Sequence, residues 1–201
     1  MKLIKSTIVL LFMLAACNSQ GSEQEVNDAV KAYVLSSGKP HKLRSVYGVD
    51  LPSDGFDSFY IYPSIISGEL NVSPFVYFDE KTKKSTGDSY TRCNIVMSFH
   101  GGVLIAPRQF VADDAKNSTP CFGFDKKISI VKNRSGSWII VNALYQGMSG
   151  DPEIIPEVYS FDGKKLCYSD SASLALESGK ISVKKLVDEI ISINKYDECS
   201  G

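Results

Sequence analysis

The chain is poor in the side chains from which catalytic centres are usually built. Histidine occurs twice, at His41 and His100, and tryptophan once in 201 residues. Two imidazoles so far apart in sequence give neither a three-histidine metal site nor a convincing acid–base pair. No C-x-x-C spacing is present, which argues against zinc ribbons and dithiol redox sites. A D-x-D-x-D-G calcium loop and a G-x-S-x-G nucleophile elbow are missing as well. Acids pair locally at Asp54 and Asp57, Asp79 and Glu80, and Asp113 and Asp114. A glycosidase-type carboxylate pair leaves no spacing in sequence, and nothing selects one here. The 22 basic residues do not outnumber the 23 acidic ones, and the formal net charge is −1. Without a basic excess, nucleic acid is not an expected partner, and electrostatic docking to anionic lipid is not expected either. Internal repeats and low-complexity tracts are also absent.

The informative segment is the first one. Lys2 and Lys5 precede an apolar run from Ile8 to Leu14, followed by Ala15, Ala16 and Cys17. That order of charge, apolar stretch and small residues is the layout of a secretory signal. The run is shorter than the roughly 20 apolar residues a spanning helix needs. Leu14-Ala15-Ala16-Cys17 resembles the lipobox of bacterial lipoproteins. The resemblance implies acylation of the Cys17 thiol, cleavage before Cys17, and anchoring by two or three acyl chains, which together hold a protein where one would not. An ordinary secretory signal with a chance cysteine, or a short membrane anchor, is the plainer alternative. In enterobacterial lipoproteins an Asp after the cysteine commonly marks inner-membrane retention. Asn18 therefore points to the outer membrane, with the body facing the periplasm. The expected organisation is a removed signal at 1–16, a lipidated cysteine with a short polar tether at 17–24, and one globular domain at 25–201. Loss of Lys2 and Lys5 moves the net charge to about −3.

Four cysteines remain: Cys93, Cys121, Cys167 and Cys199. An even number in an exported chain reads as two disulfides. Three pairings are possible, and closeness in sequence favours Cys93–Cys121 with Cys167–Cys199.

The pattern along the body predicts an α+β fold: an antiparallel sheet of about 6–8 strands with an N-terminal and a C-terminal helix. Val26, Val30, Tyr33 and Val34 share one face of a helix from Ser22 to Ser36, with Ser22 or Glu23 able to cap it. A second stripe of Val183, Leu186, Val187, Ile190 and Ile191 predicts a helix from Ser182 to about Lys195. Between them lie segments rich in aromatic and β-branched residues. Pro74 within "ELNVSPFVYF" argues for an edge or a bulge. Hairpins are expected at Asn133–Gly136 and at Asp162-Gly163. In "FDSFYIYPSI", Phe59 and Ile61 fall on one face and Tyr60 and Tyr62 on the other. The tyrosine face is either core or a half-wet binding surface.

Two stretches invite a catalytic reading. "GGVLIAPRQFVADDA" is similar to the segment of trypsin-like serine proteases that leads to their histidine, and "GMSGDP" to their glycine-flanked serine. The resemblance would make Ser149 the nucleophile. Where that family carries its base, this chain has Asp113 and Asp114, and a serine without imidazole is not activated near neutral pH. The expectation is therefore a protein with no catalytic residues, metal or cofactor.

The description that fits is a rigid, disulfide-stapled domain held near a membrane, whose task is to bind a protein. In layout it resembles small envelope lipoproteins that neutralise a hydrolytic toxin, such as immunity lipoproteins of type VI secretion effectors. By that resemblance the partner is a toxic hydrolase acting on phospholipid or cell wall. Candidate contacts are Asp113 and Asp114 in the long polar connection, and Tyr145, Met148, Asp151 and Glu153 around the Gly-Pro loop, because a long loop in a compact domain is often functional. The alternatives are a structural or assembly lipoprotein of the outer membrane or a secretion apparatus, and a carboxylate-based hydrolase.

Overall fold

The structure is a computed structural model and describes residues 22–36, 59–79, 90–107, 120–133, 136–147, 151–179, 182, 183, 185 and 198–200. Helix α1 (Glu23–Leu35) begins where the sequence places it. The Ser22 side chain accepts from the Glu25 N–H at 3.2 Å, and the Glu25 carboxylate accepts from the Ser22 N–H at 2.6 Å. This reciprocal capping box satisfies two N–H groups the first turn would leave open.

The strands form two antiparallel sheets. The first contains β1 (Phe59–Ile61), β2 (Ile65–Ser67), β3 (Leu70–Asp79), β4 (Tyr90–Phe99) and β5 (Gly102–Ile105), in the order β1-β3-β4-β5, with β2 also on β3. The second contains β6 (Cys121–Asn133), β7 (Gly136–Gln146), β8 (Pro152–Phe161), β9 (Leu166–Tyr168) and β10 (Glu198–Ser200), in the order β10-β9-β8-β7-β6. Helix α2 (Asp170–Glu177) lies between β9 and β10 in the chain.

Strand alternation sorts the side chains into layers. Val72, Val76, Cys93, Ile95 and Met97 of the first sheet share one buried cluster with Ile139, Val141, Ala143, Ile155, Tyr159 and Phe161 of the second. The outward residues Phe75, Tyr77 and Val96 are covered by Val30 and Val34 of α1. On the far side, Trp138, Ile140 and Val158 are covered by Ala172 of α2. The described residues form a sandwich of helix, sheet, sheet and helix. The expected antiparallel pairing and the N-terminal helix are present, and the described residues are mostly β. The single sheet of 6–8 strands is replaced by two, because both faces of the long strands carry apolar residues and each must be covered.

Pro74 sits in β3, which has neighbours on both sides. Its carbonyl accepts from the Tyr62 N–H at 2.8 Å, so its nitrogen faces the break between β1 and β2, where no ladder bond is lost. Both faces of β1 are covered: Phe59 and Ile61 pack beneath α1, while Tyr60 and Tyr62 join the central core. The two expected hairpins are present as β6–β7 and β8–β9. The expected disulfides are those found. Cys93–Cys121 joins β4 of one sheet to β6 of the other. Cys167–Cys199 links directly opposed residues of β9 and β10.

The helix predicted from Ser182 to Lys195 lies mostly outside the described residues. Its start is visible: the Ser182 carbonyl and hydroxyl accept from the Lys185 N–H at 2.9 and 3.4 Å. The described helix after β9 is α2, of sequence DSASLALE, which the sequence pattern does not predict. Its small residues let it approach the sheet closely. The buried Ser173 hydroxyl accepts from the Val158 N–H at 3.0 Å and donates to the Ser169 carbonyl at 2.7 Å. The Ser169 N–H in turn donates to the Val158 carbonyl at 2.8 Å. The helix start thus takes the place of a strand partner along the open flank of β8.

Candidate functional site: the loop end of the sandwich

The two ends of the sandwich differ. At one end the connections are tight. Gly68 and Glu69 join β2 to β3, His100 and Gly101 join β4 to β5, residues 134–135 join β6 to β7, and Asp162–Lys165 join β8 to β9. His100 and Gly101 have φ of 48° and 77°, the left-handed pair of a two-residue hairpin turn. The Phe99 and Phe161 rings meet at 5.1 Å, and the Lys132 ammonium donates to the Ser67 carbonyl at 3.2 Å, which ties these turns together across the two sheets. His100, an exposed loop imidazole, stands 3.2 Å from the Glu69 carboxylate.

At the opposite end the connections are longer. Residues 80–89 join β3 to β4, 108–119 lead from β5 to β6, 147–151 join β7 to β8, and 37–58 arrive at Phe59, which pairs with Tyr77. The anchors of these connections are rigid. The Cys93–Cys121 bridge clamps the two sheets beneath them. The Gln146 N–H donates to the Pro120 carbonyl at 3.1 Å, and the Gly147 N–H to the Asp151 carbonyl at 2.9 Å. Asn94, buried behind the same end, donates through Nδ2 to the Tyr33 hydroxyl at 2.8 Å and to the Ala106 carbonyl at 3.0 Å. This contact fixes the last turn of α1 and the exit of β5 together.

The interior below this end holds a carboxylate. Glu157 is 2% exposed and lies on the inward face of β8, in phase with Ile155, Tyr159 and Phe161. The Tyr145 hydroxyl donates to Oε1 at 2.5 Å and the Tyr159 hydroxyl to Oε2 at 2.7 Å. Burial, and then the Glu157 charge, push both phenols well above the ordinary tyrosine pKa, while the positive charge of Arg92 opposes the shift at Tyr145. Tyr62, packed on Phe124 with ring centroids 5.5 Å apart, is pushed up to about 12 by burial and then by Tyr60. Glu157 is out of reach of any solute. The Tyr145 bond fixes the inward faces of β7 and β8 to each other at the base of the loops, and the Tyr159 bond holds the second carboxylate oxygen within β8.

The sequence candidates divide accordingly. Asp151 is exposed at the β7–β8 connection, and Glu153 is exposed too but is corrected to the second residue of β8, opposite Tyr145, and not a loop residue. Asp113, Asp114, Met148 and Cys17 lie outside the described residues. The anchors of the two connections that carry Asp113, Asp114 and Met148 converge at this end. Tyr145 is corrected: it is 6% exposed and its hydroxyl is held by Glu157, so it supports the loop from inside and presents nothing to a partner. Glu157 was missed. The period of two over residues 155–161 already puts it in the buried phase, and that was the available signal. Among the described residues, no group of three or more His, Cys, Asp or Glu side chains converges as a metal site would require.

Comparison with protein-family models, curated proteins and solved structures finds no match to this chain.

Proposed function

We propose that this chain is an envelope binding protein, lipid-anchored at Cys17 in the outer membrane and facing the periplasm. In this reading it is an immunity or inhibitor lipoprotein that neutralises a periplasm-acting hydrolase, such as a type VI secretion effector attacking phospholipid or cell wall. The observation that carries the reading is the asymmetry of the sandwich. One end is closed by tight turns, and the other gathers the anchors of the longer connections on a base braced by Cys93–Cys121 and by the Tyr145–Glu157–Tyr159 bonds. A rigid scaffold that presents several loops at one end is an arrangement suited to recognition, because pre-ordered anchors lower the entropy lost on binding. The lipobox, the even cysteine count and the scarcity of histidine support the same reading.

In this account Asp113, Asp114, Met148, Asp151 and Glu153 contact the partner, and the protein itself performs no chemistry. Two experiments test it. Labelled palmitate fed to cells should enter the wild-type protein and not Cys17→Ala, and equal labelling of both removes the anchor. Mature protein should inhibit the hydrolase encoded beside its gene. Envelope damage on deletion in cells that lack any such hydrolase would favour a structural lipoprotein instead.

A further inference from the structure

The two disulfides have different surroundings. Cys93 and Cys121 belong to the buried cluster between the sheets. Cys167 and Cys199 stand on the outer face of the second sheet. The alternation of β9 decides this: Leu166 and Tyr168 point into the central cluster, so Cys167 between them points out. Cys167 is half-buried, and Cys199, directly opposite on the edge strand β10, is exposed. A thiolate opens a disulfide by attacking a sulfur it can reach, and exposed bridges are the labile ones. One bridge therefore offers a sulfur to solutes and the other does not.

The strand held by the outer bridge has little else in its sequence to secure it. β10 is three residues long, and Glu198, Cys199 and Ser200 include no aliphatic or aromatic residue. Such a segment carries little apolar area with which to hold a strand in place. The bridge keeps it beside β9 by closing the chain. The body of the sheet is built without it. β9 pairs with β8 on its other side, and Leu166 and Tyr168 are already packed in the central cluster.

We propose that Cys167–Cys199 is a thiol–disulfide exchange site for a dithiol reductant, and that its reduction releases β10 from the edge of β9. One thiolate of the dithiol attacks the exposed Cys199 sulfur. The Cys167–Cys199 bond breaks, Cys167 leaves as a thiolate and takes up a proton, and a mixed disulfide remains on Cys199. The second thiol of the reductant then attacks the reductant's sulfur in that mixed disulfide, and Cys199 is freed as a thiol. The protein gains two electrons and two protons, and the dithiol, having lost them, closes to a disulfide. Release uncovers the backbone edge of β9, a row of N–H and C=O groups able to pair with another extended segment. Cys93–Cys121 stays closed, so the two sheets remain clamped while the edge opens. The exchange site follows from the exposure of one bridge and the burial of the other, and does not depend on the proposed function.

The test starts from oxidised mature protein in native buffer, with dithiothreitol as the dithiol. Samples quenched with iodoacetamide at intervals are read by peptide mass spectrometry. Cys167 and Cys199 should become alkylated at least roughly tenfold faster than Cys93 and Cys121. Equal rates, the reverse order, or reduction of neither bridge before the chain unfolds would overturn the site. A reduced Cys-x-x-Cys protein in place of dithiothreitol separates the two sources of reductant: reaction supports a protein dithiol, and failure beside a positive dithiothreitol result supports a small one. Release is read by amide exchange in the selectively reduced protein before alkylation, and in Cys167→Ser with Cys199→Ser. The amides of residues 198–200 should exchange at least roughly tenfold faster than in the oxidised protein, with β7 and β8 unchanged. Unchanged exchange at 198–200, or protection lost across β7 and β8, would overturn the release.

Discussion

Replacing Tyr145 by Phe removes a single hydroxyl from the base of the loops and leaves the ring volume unchanged. The hydroxyl donates to the Glu157 carboxylate at 2.5 Å, in a place where Tyr145 is 6% and Glu157 2% exposed. A hydrogen bond to a charged group is worth about 1.5–3 kcal/mol, and water is excluded from replacing the lost donor. Tyr145→Phe should therefore destabilise the oxidised protein by about 1.5–3 kcal/mol. Tyr159→Phe removes the 2.7 Å bond to the other oxygen and should cost a similar amount. Both phenols serve one carboxylate, so the two losses should not be independent. A double-mutant cycle should show a coupling of at least about 0.5 kcal/mol. The assay is urea unfolding followed by tryptophan fluorescence, since Trp138 lies on the outer face of the same sheet. Two single variants each within about 0.5 kcal/mol of wild type would refute the reasoning, because changes that small are ordinary for surface positions.

Further outcomes follow from the same geometry. Tyr62, Tyr145 and Tyr159 have raised folded pKa values, so their contribution is complete below about pH 10, the ordinary tyrosine value, and is lost as pH rises above it. Stability measured by urea unfolding should fall above pH 10 by up to about 1.4 kcal/mol per pH unit for each buried tyrosine, and Tyr145→Phe should flatten that slope. Opening Cys93–Cys121 by Cys93→Ala with Cys121→Ala should cost about 3–4 kcal/mol on loop length alone, given its separation of 28 residues. A change in the unfolding midpoint worth less than 1 kcal/mol would contradict a bracing role. Asp162 accepts from the Lys165 and Lys164 N–H groups, both at 2.8 Å, and these bonds hold its carboxyl below the ordinary range. Asp162→Ala should weaken the exposed β8–β9 turn by no more than about 1 kcal/mol. With Asp162 present, this contribution should disappear as pH falls through the carboxylate range.

Elements with one strong local signal could be read from sequence. The cap at Ser22, the apolar stripe of α1, and the Asn133–Gly136 and Asp162-Gly163 turns each state their structure within a few residues. The disulfide pairs followed from the even number of cysteines left after Cys17 and from closeness in sequence. The division into two sheets was not readable, because it depends on which strands exchange neighbours, a long-range property absent from any window. Helix α2 was hidden because its buried face is made of Ala172 and Ser173, whose small side chains give no apolar stripe. Its stability comes from packing and from the Ser173 bond to Val158, with little from intrinsic propensity. At the site, Asp151 was readable as an exposed loop acid, while Glu153, read with it, is already in β8. Tyr145 was misplaced because a tyrosine at a strand end faces either the solvent or the core, and only the partner strand with Glu157 decides which.

The most direct test of the functional account is inhibition of the neighbouring hydrolase by mature protein altered at either end of the sandwich. Charge reversal at the loop end, Asp151→Lys with Glu153→Lys, should weaken inhibition at least tenfold, about 1.4 kcal/mol of binding energy. The matched change at the turn end, Glu69→Lys, should leave it unchanged. Equal inhibition by both variants, loss only with Glu69→Lys, or no inhibition by the wild type would contradict the claim that the loop end is the recognition surface.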